Sequence, residues 1–143
     1  MNLRYMKKED LEQVYAIEQV LFSKPWSKQD FLDALSKKEN LYLVAEDQGQ
    51  ILGYCGVWGV AGEGQITNVA VKKEYQGNGI ASALFSYMLK EGESKELHVY
   101  TLEVRTSNFT AIHLYKKMGF LSVGMRKNFY ELPTEDAVIM WKE

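Results

Sequence analysis

The chain has 143 residues, a formal net charge of −2 and a single cysteine, which fits one domain spanning residues 1–143, excludes an internal disulfide and leaves no cysteine or histidine pair at zinc spacing. Its 17 basic and 19 acidic residues nearly cancel, which argues against a broad phosphate-tracking surface, so nucleic acid is not an expected partner. The longest stretch free of charge and of Asn, Gln, Ser and Thr runs only from Ile51 to Gly62, too short to cross a bilayer, and no secretory signal is readable, so a cytoplasmic protein without a membrane partner is expected.

Residues 8 to 22 place Leu11, Val14, Tyr15, Leu21 and Phe22 at helical spacing, with Glu18 the one polar residue on that apolar face. Pro25-Trp26-Ser27 interrupts this first helix. Ser27 then serves as an N-cap, with Asp30 in the first turn of a second helix carrying Phe31, Leu32 and Leu35. Leu41 to Glu46 and Gln50 to Val60 are rich in β-formers and flank Asp47-Gln48-Gly49, so they predict a hairpin. Gln65 to Val71 predicts a buried strand, followed by a glycine turn and a helix holding Ile80, Ala83, Leu84, Tyr87 and Met88. Lys90 to Glu96, with alternating charge signs and a glycine, is expected to be an exposed loop. Leu97 to Arg105 predicts a strand, Asn108 to Met118 a helix stopped by Gly119, and Phe120 to Met125 and Ala137 to Trp141 two final strands. A joining segment between those strands holds Phe129, Tyr130 and Pro133. The order is that of a mixed α/β domain.

The informative passage is Asn68-Val69-Ala70-Val71 followed by Gln76-Gly77-Asn78-Gly79-Ile80-Ala81-Ser82. Glycines at a strand-to-helix turn let backbone N–H groups converge on an anion, and the positive end of the helix dipole adds to that field. The passage lacks the Lys-Ser or Lys-Thr pair of a Walker loop, and Ser82 occupies the third glycine position of a dinucleotide fingerprint.

Gln76, Gly79 and Ala81 fill the Gln/Arg-x-x-Gly-x-Gly/Ala pattern of the GNAT acetyltransferases, which this chain resembles. Further segments that carry the resemblance are Pro25-Trp26-Ser27, Asn68 to Val71, Leu102 to Asn108, Ala111-Ile112-x-Leu114-Tyr115, Gly119-Phe120 and Glu135-Asp136-Ala137-x-Ile139-Met140. Together they look like the bacterial ribosomal-protein-alanine N-acetyltransferases. The resemblance implies a mixed, mostly antiparallel sheet flanked by helices and splayed between two parallel strands, with acetyl-CoA as cosubstrate and its thioester in the gap. Val69, Ala70 and Val71 then hold the pantetheine arm, Gln76 to Ser82 (Gln76, Gly77, Asn78, Gly79, Ile80, Ala81, Ser82) the pyrophosphate, and Asn108 contacts the cofactor. Glu103 matches the catalytic base and Tyr115 the general acid. The implied peptide substrate is a ribosomal-protein N-terminus, with a small-molecule amine or a lysine side chain as the alternative acceptor, and the expected protein is a monomer with no metal.

Chemistry supports those two roles independently. A protonated amine cannot attack a thioester, so a strand-borne carboxylate is a suitable proton acceptor, and a tyrosine with a reference pKa of about 10 can protonate the departing thiolate. At pH 7.5 deprotonation costs about 0.7 kcal/mol for an α-amine and about 4 kcal/mol for lysine, which favours a terminal amine as acceptor. Read without the resemblance, Glu103 is an exposed strand residue and Tyr115 a packed aromatic. Asn108 also suits an N-cap, and Cys55 a small buried hydrophobe. Trp26, Trp58 and Tyr130 are candidates for the acceptor groove, or core residues. Glu135-Asp136 is either an attractor for the substrate's ammonium or a polar turn. The pyrophosphate loop departs from many members of the family, with Gly77, Ala81 and Ser82 where they carry Arg or Gly, so backbone donors must do more of the binding. Phe129-Tyr130 stands where relatives often show two tyrosines.

Overall fold

The computed structural model describes Met1–Glu143. Seven strands, β1 (Asn2–Tyr5), β2 (Leu41–Asp47), β3 (Gln50–Val60), β4 (Glu63–Val71), β5 (Val99–Arg105), β6 (Leu121–Tyr130) and β7 (Glu135–Lys142), form one sheet in the order β1-β2-β3-β4-β5-β7-β6. Four helices flank it: α1 (Leu11–Leu21), α2 (Lys28–Leu35), α3 (Ile80–Ser94) and α4 (Phe109–Lys117). All neighbouring strands are antiparallel except β4 and β5.

Alternation along the strands divides the interior into two layers. Val14, Ile17, Phe31, Tyr42, Tyr54 and Ala70 pack under α1 and α2, whereas Leu43, Cys55, Leu84, Phe85, Leu102 and Met140 pack under α3 and α4. Complete burial of a side chain such as Phe31 or Leu84 stabilises the fold by about 1.5–3 kcal/mol relative to exposure. The second helix starts as expected: Ser27 Oγ accepts from the Asp30 N–H at 3.0 Å while Asp30 Oδ2 accepts from the Ser27 N–H at 2.9 Å, a reciprocal cap that satisfies two otherwise orphaned donors.

The parallel pair is brief. It runs from Glu63↔Val99 to Gln65↔Thr101 and stops, after which β4 and β5 diverge, the splay that the resemblance implies. The cause is visible in the adjoining ladder, where Gly56 pairs with Asn68 and Val57 with Ile66. Thr67 is thus an extra residue, and such a bulge bends its strand. The Tyr42 ring lies across this point and its hydroxyl is 2.8 Å from Thr67 Oγ1. Only glycine fits opposite, because a Cβ at Gly56 would sit 2.0 Å from the Tyr42 ring.

Three expectations are corrected. Lys90 to Glu96 is not a loop, since α3 continues to Ser94; Met88 and Gly92 keep its inner face buried while the charged residues occupy the solvent side. An N-terminal strand, Asn2–Tyr5, precedes the first helix, which itself begins only at Leu11, after a short 3₁₀ turn at Lys8–Asp10. The segment expected to join the last two strands is largely strand, because β6 extends to Tyr130 and β7 begins at Glu135. None of the helices is long and apolar enough to cross a membrane.

Candidate active site

Where β4 and β5 part, a cleft of about 470 Å³ opens, and Glu103, Asn108, Tyr115, Tyr130, Val69 and Trp26 all line it. Residues separated by up to 104 positions in the chain, Trp26 and Tyr130, therefore meet at one opening. Leu102 and Val104 face the α3/α4 layer, so Glu103, between them, points to the α1/α2 face. Its side chain is 16% exposed, and Arg126 Nε stands 3.7 Å from Oε1. Tyr115 comes from the other face, packed against Phe85 and Phe120 with ring centroids 5.2 and 6.1 Å away. Burial pushes its hydroxyl well above the ordinary tyrosine range, and Tyr130 and Cys55 act in the same direction. It is a protonated donor at neutral pH.

The residues expected around the cosubstrate divide into two groups. Beyond Gln65, β4 has no neighbour on its β5 side, so the Val69 to Val71 stretch has a free edge; Val69 lines the cleft, whereas Ala70 buries its side chain in the α1/α2 layer and Val71 in the other. The second group forms the turn into α3. Gly77 and Gly79 have φ of +83° and +78°, the left-handed region that glycine enters without penalty. No side chain caps α3, so its first N–H groups are left for a ligand. Ile80 is buried and Ser82 exposed, with Ala81 between them. Two side chains of this turn brace it: Gln76 Nε2 donates to the Val71 carbonyl at 3.0 Å and Asn78 Nδ2 to the Tyr75 carbonyl at 3.0 Å. The free strand edge, the uncapped glycine turn and the cleft fit an extended acyl thioester bearing a pyrophosphate.

Asn108 combines both roles weighed for it. Its Oδ1 caps α4 by accepting from the Ala111 N–H at 3.2 Å, while the residue lines the cleft. Trp26 is shared between the cleft and a second cavity of about 710 Å³ beside α2. Trp58 lines only that second cavity, 6.0 Å from the Trp26 ring, and is not brought to the cleft. Cys55 is fully buried, and burial pushes its thiol up to about 12. Both histidines, His98 and His113, lie at the surface.

Arg105, to which sequence reasoning assigned no role, and Glu135, for which it weighed two, hold the cleft's rim. Arg105 stacks over the Tyr130 ring at 4.5 Å and donates to the Pro133 and Glu131 carbonyls at 2.9 Å, tying the β6–β7 turn to β5. Glu135 accepts from the Ser107 N–H at 2.7 Å, from Thr106 Oγ1 at 3.0 Å and from Arg105 Nη1 at 3.2 Å. Glu135 opens β7 and is not a turn residue, and its carboxylate is engaged by these internal donors. Hydrogen bonds from Ser107, then from Arg105 and Thr106, hold its carboxyl well down, at about 2. A carboxylate lowered on folding stabilises the protein fully above its unfolded pKa, about 4.3, and that contribution is lost as pH falls through the folded value. Asp10 is lowered likewise by Arg4, 2.7 Å away. The thermal midpoint is therefore expected to fall between about pH 4.5 and pH 2, and Glu135→Gln to lower it at pH 7 and flatten the fall. Parallel melting curves across that window for the two proteins would assign the acid sensitivity elsewhere.

A sheet splayed by a bulge, a cleft at the splay and an uncapped glycine turn before α3 define an acyltransferase of the acetyl-CoA-dependent kind, and residues 11–120 match the acetyltransferase (GNAT) family model. The chain belongs to the GNAT family. It is 33% identical over 135 residues to the [ribosomal protein bS18]-alanine N-acetyltransferase of Escherichia coli (strain K12), covering 92% of this chain and 89% of that one. A Bacillus subtilis (strain 168) protein, whose name gives it the same activity provisionally, is 43% identical over 140 residues, covering 97% and 93%. The crystal structure of the ribosomal-protein-S18-alanine N-acetyltransferase from Escherichia coli superposes with a TM-score of 0.91 at 31% identity, covering 99% of this chain and 92% of that one.

Proposed function

We propose that the chain transfers acetyl from acetyl-CoA to a protein N-terminal α-amine, foremost the N-terminal alanine of ribosomal protein bS18, by direct transfer in a ternary complex. The observation that carries this reading is the presentation of Glu103 and Tyr115 to one cleft from opposite faces of the splayed sheet. The sheet draws strands from Asn2 to Lys142, which supports residues 1–143 acting as one GNAT domain. When bound, acetyl-CoA supplies an electrophilic acyl thioester. Val69 to Val71 would hold its arm by backbone groups, Gly77 to Ser82 its pyrophosphate and Asn108 a polar group through Nδ2. Glu103 accepts the proton of the incoming ammonium, directly or through water, and Tyr115 donates its phenolic proton to the sulfur that leaves. The buried Cys55 thiol, held protonated, supports direct transfer over an acetylated cysteine.

The acceptor side supports a peptide over a polycation. Three glutamates line the cleft, Glu18, Glu103 and Glu131, but Glu18 is occupied by internal donors and Glu131 pairs with Lys24. Glu103 remains for an incoming amine, with only the more distant Arg126 Nε, 3.7 Å away, beside it, too little field for a polyamine or aminoglycoside. The names carried by the Escherichia coli and Bacillus subtilis relatives support a ribosomal N-terminus. The test is incubation with acetyl-CoA and a peptide carrying a free N-terminal alanine and an internal lysine, with the modified site located by tandem mass spectrometry. Acetyl on the α-amine is the expected result; acetyl on lysine alone, or none despite cofactor binding, would overturn the reading.

A further inference from the structure

One polar atom of the cleft has no place in the chemistry above. Asn68 Oδ1 is buried without a hydrogen-bond partner, in a residue that is only 5% exposed and lines the cleft with Glu103. An unpaired buried amide oxygen is destabilising, so its presence calls for a donor that arrives from outside the fold. Asn68 directly follows the bulge at Thr67. Its neighbour Val69 packs in the α3/α4 layer, so the Asn68 side chain lies on the α1/α2 face, the face to which Glu103 also points.

Glu18 determines which way the amide is turned. Its Oε1 accepts from the Tyr54 hydroxyl at 2.5 Å and from Asn68 Nδ2 at 3.5 Å, and its Oε2 accepts from the Trp26 N–H at 3.0 Å. Every one of these contacts brings a donor to a carboxylate that can only accept. Rotating the Asn68 amide by half a turn would set oxygen against oxygen, so Glu18 keeps Nδ2 toward itself and leaves Oδ1 as the free acceptor. The same carboxylate anchors the α1–α2 connection through Trp26. This explains a charged residue, 2% exposed, on the apolar face of α1.

We propose that Asn68 Oδ1 accepts a hydrogen bond from the acceptor's α-amine, and that Glu18 is the positioning residue that holds it ready. The inference rests on the reading of the cleft as a site of N-terminal acetylation. A neutral oxygen suits this role better than a second carboxylate, which would favour the ammonium and oppose the deprotonation that Glu103 must achieve. An amide oxygen holds an N–H of the amine before and after that proton is lost, so the nitrogen stays oriented toward the thioester while Glu103 accepts its proton.

The test uses the full chain, a peptide with a free N-terminal alanine, and its desamino counterpart, in which propionyl replaces alanine, as a competitive inhibitor. Asn68→Ala is expected to raise KM for the alanine peptide about tenfold or more, the scale of a hydrogen bond to a charged group, with KM for acetyl-CoA and Ki for the desamino peptide unchanged. Glu18→Gln, which keeps the shape but can donate to Asn68 and turn its amide, is expected to raise the same KM and likewise spare Ki; it carries the test alone should Asn68→Ala fail to fold. Wild-type KM in the folded variants, or a Ki that weakens in step with KM, would overturn the inference while leaving α-acetylation intact. Failure of the wild-type chain to acetylate the α-amine at all would overturn the reading of the site and this inference with it.

Discussion

Tyr115→Phe is expected to fold as the wild-type chain does and to lose turnover by roughly 10²-fold or more, the scale of a general acid. The ring carries the packing: it sits between Phe85 and Phe120 in the layer under α3 and α4, and phenylalanine keeps that contact. What the substitution removes is one hydroxyl in the cleft, held protonated by burial. Without it the sulfur departs as a bare thiolate, with no proton donor in place of Tyr115. Melting temperature and acetyl-CoA affinity should hold near wild type while kcat falls. Unchanged kcat would remove Tyr115 from the chemistry and leave it a core aromatic.

Glu103→Gln is expected to lower kcat/KM about 10²-fold at pH 7 and to move the profile toward alkaline pH. With no carboxylate to accept the proton, the variant depends on the fraction of acceptor already deprotonated in solution, which rises toward the α-amine pKa of about 8. The deficit should therefore narrow as pH rises through that value. Cofactor affinity should stay nearly unchanged, because Glu103 faces the α1/α2 side and the pyrophosphate turn lies at the start of α3. A variant whose profile parallels the wild type at full rate would show that the proton goes elsewhere.

The contrast between the two residues also shows how far the site is legible before folding. Glu103 and Tyr115 were reachable because each sits in a local pattern, Leu102 to Asn108 and Ala111 to Tyr115, with a known counterpart in the GNAT family. Arg105, Glu135 and Asn68 also lie in matched segments, but nothing in those segments points to their contacts. Arg105 meets Pro133 and Glu131 across 28 and 26 residues, and Asn68 meets Glu18 across 50; no spacing rule links positions so far apart. Glu18 was half-visible, a lone charge at a helical core position, but its partners Tyr54 and Trp26 come from another strand and from a loop. Trp58 shows the converse: an aromatic side chain suits a peptide groove by its rigid contact area, yet from its place in β3 it lines the cavity beside α2 and not the cleft.

Local sequence carried the helix periods, the Ser27–Asp30 cap, the β2–β3 hairpin and the glycine turn before α3, because each depends on neighbours within a few residues, whose spacing is the geometry itself. It missed β1, a short strand paired with β2 some forty positions away, and it ended α3 early, because alternating charges look like a loop until the buried face of Met88 and Gly92 is seen. The opening of the cleft belongs to assembly. It needs the extra residue at Thr67, the glycine opposite it that admits the Tyr42 ring, and a β4–β5 pairing that ends at Gln65↔Thr101. Strand register is set by packing of whole faces, so the residues that open the cleft acquire that role only once the sheet has formed around them.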